Sequence, residues 1–161
     1  MVGDLCVDAY RASGHLDEGD AYTDTLRDAE ERARNGVLLV AVRDGDVVGT
    51  VTICPVGSPF SETGTEDECE FRFLAVAPAA WRSGVGEALV AACEEWAIDH
   101  GKSAHVICVV DGNRAAERLY ERLGFERLPE RDWSPRDGVS LRAYRRAVPY
   151  AAVAASMESG D

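Results

Sequence analysis

"FLAVAPAAWRSGVGEALVAACEEWA", residues 73–97, passes from an apolar run through a proline and two closely spaced glycines into an alanine-rich amphipathic segment. That order predicts a strand, a tight turn and a helix from about Gly86 to His100, with Val85, Leu89, Ala92, Cys93 and Trp96 at helical spacing as the buried stripe. Backbone N–H groups at a helix start attract anions, and glycine lets a phosphate approach the chain, so the turn suits a pyrophosphate. A short GxG turn is equally at home in a plain structural connection. The letters disfavour two specific phosphate folds. A dinucleotide turn wants a third glycine where Leu89 stands, and the GxxxxGK pattern of a P-loop is absent.

Upstream, "DLCVDAYRAS" (4–13) reads as a short helix, "GHLDEGD" (14–20) as a loop and "AYTDTLRDAEERARN" (21–35) as a second helix ending before Gly36. "VLLVAVRDGDVVGTVTIC" (37–54) is two β-branched runs around Asp44 and Gly45, a hairpin signal. "PVGSPFSETGTEDE" (55–68) is a polar loop, and "CEFRFLAVA" (69–77) is the strand that enters the opening stretch. Beyond Gly101, "AHVICVV" (104–110) predicts a buried strand and "NRAAERLYERLGF" (113–125) a helix stopped by Gly124, with Ala116, Leu119, Tyr120 and Leu123 on one face. "FERLPERDW" and "VSLRAYRRAV" predict two further strands around a turn containing Pro135 and Gly138. Strands alternating with helices, with hairpins at both ends, predict a mixed α/β sheet.

The length of 161 residues and 46% hydrophobic content suit one domain, expected over 1–148, with a flexible tail over 149–161. No apolar run reaches the roughly 18 residues of a membrane span, and the acidic start lacks a signal peptide's basic and apolar regions. These features predict a cytoplasmic protein with no membrane partner. Five scattered cysteines (Cys6, Cys54, Cys69, Cys93, Cys108) form no CxxC and indicate reduced, mostly buried thiols and no metal site. The net charge of −12 disfavours nucleic acid as a partner. It would also draw in a cationic substrate, although acidic surfaces commonly serve solubility.

A second motif gives the glycine turn its meaning. Directly after the strand 104–110, Asn113 stands at a helix N-cap with Tyr120 two turns along. Together the two segments resemble the GNAT superfamily of acyl-CoA N-acyltransferases. Its pattern is a strand ending LxV, a proline shortly before RxxGxG, a long helix, a strand and then NxxAxxxYxxxGF. The resemblance covers roughly residues 37–148. It implies a mostly antiparallel central sheet flanked by helices and splayed at the strand ending Leu74–Val76. It also implies acetyl-CoA as cofactor and transfer of its acetyl group by direct attack of a primary amine, on a small molecule or a protein. A homodimer is left open. The family opens with an edge strand before its first helix, whereas this chain begins at the helix, so either that strand is absent or the start is short. An acyl-CoA-sensing domain without turnover, or a structural subunit pairing through its sheet edge, are the alternative functions.

Residue by residue, the resemblance assigns Leu74, Ala75 and Val76 to the strand that binds pantetheine, with the Val76 backbone N–H as oxyanion donor. Arg82, Ser83, Gly84, Val85, Gly86 and Glu87 take the pyrophosphate loop, and Asn113 and Tyr120 contact the cofactor arm. Tyr120 is the implied general acid, because a phenol of pKa near 10 stays protonated at neutral pH; packing on the helix face is its other reading. The first letter of RxxGxG is here Trp81, with Arg82 one place later. Glu70 stands where some members carry a general base. Strand alternation without a bulge puts Glu70, Arg72, Leu74 and Val76 on one face, where a Glu70–Arg72 salt bridge is an equal alternative to catalysis. The other position for a glutamate is Cys108, read as a buried thiol, with His105 on the opposite strand face. His15, Tyr22, Trp133 and Tyr144 are candidates to line an acceptor pocket, with aromatic core packing as the alternative for the last three. Glu62, Glu66, Asp67 and Glu68 read as a solvated charged loop, with attraction of an ammonium group as the alternative.

Overall fold

The computed structural model describes residues 1–149. Three short helices come first, α1 (Val2–Ala12), α2 (Tyr22–Arg27) and α3 (Ala29–Asn35). The strands β1 (Val37–Arg43), β2 (Asp46–Ile53) and β3 (Glu68–Val76) follow, then α4 (Val85–Asp99), β4 (Ala104–Val110) and α5 (Arg114–Arg122). The chain closes with β5 (Glu126–Arg127), β6 (Trp133–Arg136) and β7 (Val139–Ala147). The seven strands take the order β1-β2-β3-β4-β7-β5, with β6 on β7. Only the β3–β4 pair is parallel, the connection for which a crossover helix such as α4 is needed.

The contacts divide into two compact units. One holds residues 1–54, 58–60 and 71–92; the other holds 55–57, 61–70 and the chain from Cys93 on. In the first unit β1, β2 and Phe71–Val76 of β3 form an antiparallel ladder. Its hairpin closes on Asp44 (φ 52°) and Gly45 (φ 83°), the left-handed pair that a two-residue turn requires. The helix expected over 21–35 is two helices. Asp28 leaves helical geometry at ψ 71° and accepts the Glu31 amide at 3.0 Å, so a side-chain cap interrupts the run. Leu5, Cys6, Val7, Ala9, Leu16 and Leu26 from the helical segment pack on Phe73 and Ala75 of β3.

In the second unit Glu68, Cys69 and Glu70 of β3 pair with Ala104, His105 and Val106 of β4, and β4 pairs with β7 along its whole length. The parallel ladder comprises those three pairs, while β3 continues for six more residues with β2 as its ladder partner. Pro135, expected in a turn, lies inside β6. A strand with one ladder neighbour tolerates a residue that has no N–H to donate, and the turn itself falls at Asp137 and Gly138. Of the tail expected over 149–161, all but Pro149 lies outside the described residues.

No helix among the described residues is long and apolar enough to cross a membrane. Cys6, Cys54, Cys69 and Cys93 are buried and Cys108 is half-buried. The stripe of α4 runs through Val85, Leu89, Cys93 and Ala97, while Ala92 and Trp96 are only half-buried and Trp96 stacks on His100 at 3.9 Å.

Candidate functional site

The first unit carries β3's end and the glycine turn. Thr52 pairs with Arg72 and Thr50 with Ala75, so three steps along β3 match two along β2. The extra residue is a bulge, with Phe73 in the left-handed region at φ 57°, rare for a bulky side chain. Cross-strand partners share a face, so the bulge places Arg72 and Ala75 on one face and sends Val76 to the other. The single face expected for Glu70, Arg72, Leu74 and Val76 is thereby corrected.

The ladder also sets the direction of Val76's peptide groups. The Ala77 amide donates to the Val48 carbonyl at 2.8 Å, so Val76, one residue earlier, turns its N–H and C=O away from β2. Its carbonyl accepts the Trp81 indole N–H at 2.8 Å. Trp81, at the motif position where the family pattern has arginine, thus clamps the strand end instead of contributing a cation.

Between β3 and α4, Pro78–Ala80 makes one 3-10 turn, Arg82 sits in the left-handed region at φ 60° and Gly84 at φ 83°. Arg82, Ser83 and Gly84 are exposed, and a Cβ added to Gly84 would meet nothing within 4 Å. At the start of α4 the Ala88 amide donates to the Gly84 carbonyl at 3.0 Å, which ties the helix to the turn. Close packing holds this helix start in place: a Cβ on Gly49 of β2 would lie 2.7 Å from Val85 Cγ1 and 3.0 Å from Leu89 Cδ1. An open, left-handed turn at a helix N-terminus fits a phosphate group.

Arg72 lies in the same unit. It donates to the Phe60 carbonyl at 2.9 Å and to the Tyr22 hydroxyl at 3.4 Å, with its guanidinium 4.5 Å from the Phe73 ring centre. Tyr22 in turn neighbours the rings of Tyr10 and Phe73, so it belongs to an aromatic cluster of this unit. His15 is exposed.

The second unit holds Glu70, which is 2% exposed. Its Oε1 accepts from Ser61 Oγ at 3.2 Å, the Glu62 amide at 2.8 Å and the Gly64 amide at 3.3 Å, and its Oε2 accepts the Thr63 amide at 3.2 Å. Gly64 is required there, since an added Cβ would stand 2.9 Å from the Glu70 Cβ. All four donors come from the 61–64 loop, so the Glu70 carboxylate anchors that loop. A base would have to shed those donors before taking a proton.

Glu68 is likewise no surface charge. Its carboxylate, 4% exposed, takes Arg131 Nη1 at 2.6 Å and Arg145 Nε at 3.0 Å, together with the Thr65 amide and hydroxyl. Burial by itself pushes this carboxyl up, but the hydrogen bonds from Arg131, Arg145 and Thr65 outweigh it and hold the group below the ordinary glutamate value.

Cys108 lies 3.7 Å from Thr63 Oγ1, and burial pushes its thiol up to about 11, so it stays protonated and is a poor nucleophile at neutral pH. Trp133 is a hydrogen-bonding neighbour of that sulfur. Tyr144 is 2% exposed, with Arg127 over its ring at 5.4 Å, so it is core and not pocket lining.

Asn113 caps α5 by accepting the Ala116 amide at 3.2 Å. Tyr120 is buried with its ring edge-to-face on Phe125 at 5.3 Å. Burial, reinforced by nearby Cys93, pushes its phenol well above the ordinary value. Sequence reasoning missed Arg43, whose guanidinium bonds Ser83 of the glycine turn, and missed the arginines on Glu68. Neither has a local signal, because each pairing joins residues 40 or more positions apart.

A mixed sheet with a bulged strand leading into an open turn at a helix start is the α/β architecture that the GNAT resemblance implies. Comparisons agree. A family model described as "Acetyltransferase (GNAT) family" matches residues 4–125. The chain belongs to that family, whose chemistry is acetyl transfer from acetyl-CoA.

Solved structures share the fold. A GNAT-family acetyltransferase of Staphylococcus aureus Mu50 aligns with a TM-score of 0.69 at 13% identity, over 92% of this chain and 91% of its own. The ribosomal-protein-alanine N-acetyltransferase of Brucella melitensis aligns at 0.63 and 24% identity, over 91% and 93%. The PaiA N-acetyltransferase of Thermoplasma acidophilum, solved in complex with coenzyme A, aligns at 0.67 and 14%, over 90% and 89%. A search of curated proteins returns no significant match.

Proposed function

We propose that the protein is an acetyl-CoA-dependent N-acetyltransferase whose acceptor is a primary amine of a small molecule or a protein. The observation that carries this reading is the end of β3. The ladder turns the Val76 amide and carbonyl away from β2, and an exposed left-handed turn at a helix start follows within ten residues. In this reading Arg82–Glu87 hold the cofactor's pyrophosphate through backbone amides, and Leu74–Val76 hold its pantetheine arm. The cofactor supplies the activated acetyl group. Its thioester would be open to attack by a neutral amine, and the Val76 N–H would stabilise the oxyanion that develops as the C–S bond gives way. Tyr120 would give its proton to the departing sulfur and regain one from water, which takes up the amine's surplus proton. Glu70 keeps the 61–64 loop in place, and Asn113 sets the start of α5.

Two measurements test this. CoA at 100 times its dissociation constant should raise stability by about 2.7 kcal/mol, seen as a rise in melting temperature. Release of the CoA thiol from acetyl-CoA should then appear with some member of a panel of amines. An unmoved melting temperature counts against cofactor binding altogether. A rise in melting temperature with silence across a broad panel favours the second reading, an acyl-CoA-sensing domain. The burial of Glu70 among four loop donors is the observation on that side.

A further inference from the structure

Arg43 is the last residue of β1, immediately before the Asp44–Gly45 turn. Its guanidinium crosses to the glycine turn, where Nη1 donates to Ser83 Oγ at 3.1 Å and Nη2 to the Ser83 carbonyl at 3.5 Å. The Ser83 hydroxyl donates in turn to the Ala80 carbonyl, so a chain of donors runs from the hairpin through the serine to the 3-10 turn. Both Arg43 and Ser83 are exposed. An exposed contact of this kind adds little to folding, since water competes for every donor. Its consequence should fall on what the turn binds.

The charges point the same way. The chain carries a net charge of −12, which repels a polyanion over most of the surface. Trp81 contributes no cation to the turn, because indole is uncharged, and its N–H is committed to the Val76 carbonyl. Arg82 is the one cation within the turn's own sequence, Trp81–Glu87. Arginine has five N–H donors in a planar fork, of which Ser83 occupies two and leaves three, together with the full positive charge.

We infer that Arg43 is a phosphate-binding residue of the acyl-CoA turn, holding Ser83 with part of its fork and offering the remainder to the cofactor's phosphates. The inference rests on the reading of Arg82–Glu87 as the pyrophosphate loop. It assigns the β1–β2 hairpin a part in cofactor recognition through a residue that no motif singles out.

Calorimetric titration of CoA into the full chain, at low and high salt, tests it with Arg43→Gln, Arg43→Lys and Ser83→Ala. At low salt Arg43→Gln should weaken CoA about tenfold, the loss expected for one charge-assisted phosphate contact. Its dependence of affinity on salt should also be flatter than the wild type's, because one screened attraction is gone. Arg43→Lys should keep the wild-type salt dependence and recover part of the affinity, and Ser83→Ala should fall between. The melting temperatures without ligand should match the wild type in all three.

Wild-type affinity and salt dependence in Arg43→Gln would overturn the assignment. So would a loss of affinity that tracks a lowered ligand-free melting temperature with an unchanged salt dependence, the signature of a brace. Failure of the wild type itself to bind CoA would instead remove the cofactor reading on which the inference stands.

Discussion

Tyr120→Phe is expected to slow acetyl transfer about 100-fold, the lower end of what a positioned general acid contributes, while CoA affinity stays within about twofold. The phenol is buried and pushed above its ordinary value by that burial, so its proton is in place throughout the neutral range. No loss of activity from tyrosine ionisation should therefore appear in the pH–rate profile below about pH 10, the ordinary tyrosine value. Phenylalanine keeps the edge-to-face contact with Phe125, so the variant should fold. Thiol release with an acceptor found in the amine panel, alongside calorimetry with CoA, separates the two roles. Unchanged turnover would leave Tyr120 with packing alone, and a parallel collapse of CoA binding would point to a structural defect.

Glu68→Gln should destabilise the protein by about 2–3 kcal/mol, the value of charged hydrogen bonds lost from a buried acceptor. Removing one member of a fully buried ion pair costs about 3–5 kcal/mol. Here the Arg131 and Arg145 side chains are 31% and 40% exposed, so water can rehydrate them and the effect is smaller. The pH dependence has a definite sign. The folded-state carboxyl is held below its unfolded value, so its contribution is complete above about pH 4.3, the ordinary glutamate value, and is lost as the pH falls through the folded value. Urea titrations at neutral pH and near pH 3 should show the wild type and variant converging at the acid end. An equal gap at both pH values would mean that packing, not charge, is what the substitution removes.

Local signals were legible where neighbouring residues decide the outcome. Asp44 and Gly45 specify a hairpin because both positions need a left-handed backbone, and the structure closes the turn there. Asn113 before "RAAERLYER" specifies a cap, and its side chain accepts the Ala116 amide. The run 21–35 misled because its composition is helical throughout, while Asp28 competes for the backbone as a cap. The partners of Glu70 were illegible for a different reason. Simple alternation located it on a face correctly enough, but the donors that claim it come from a loop whose path no periodicity encodes.

By itself the sequence determined the order of strand, glycine turn and helix, the two motifs that define the family, and the acidic balance of the chain. All of these are carried by residues within a few positions of one another. Tertiary structure alone decided that a bulge at Phe73 turns Val76 to the other face, that Trp81 clamps the strand end, and that Arg43 rests on Ser83. It also decided that Glu68 lies between two arginines 63 and 77 residues away. Such pairings depend on the register in which strands meet and on how loops close, and one extra residue in a ladder is enough to reverse the face that every later side chain presents.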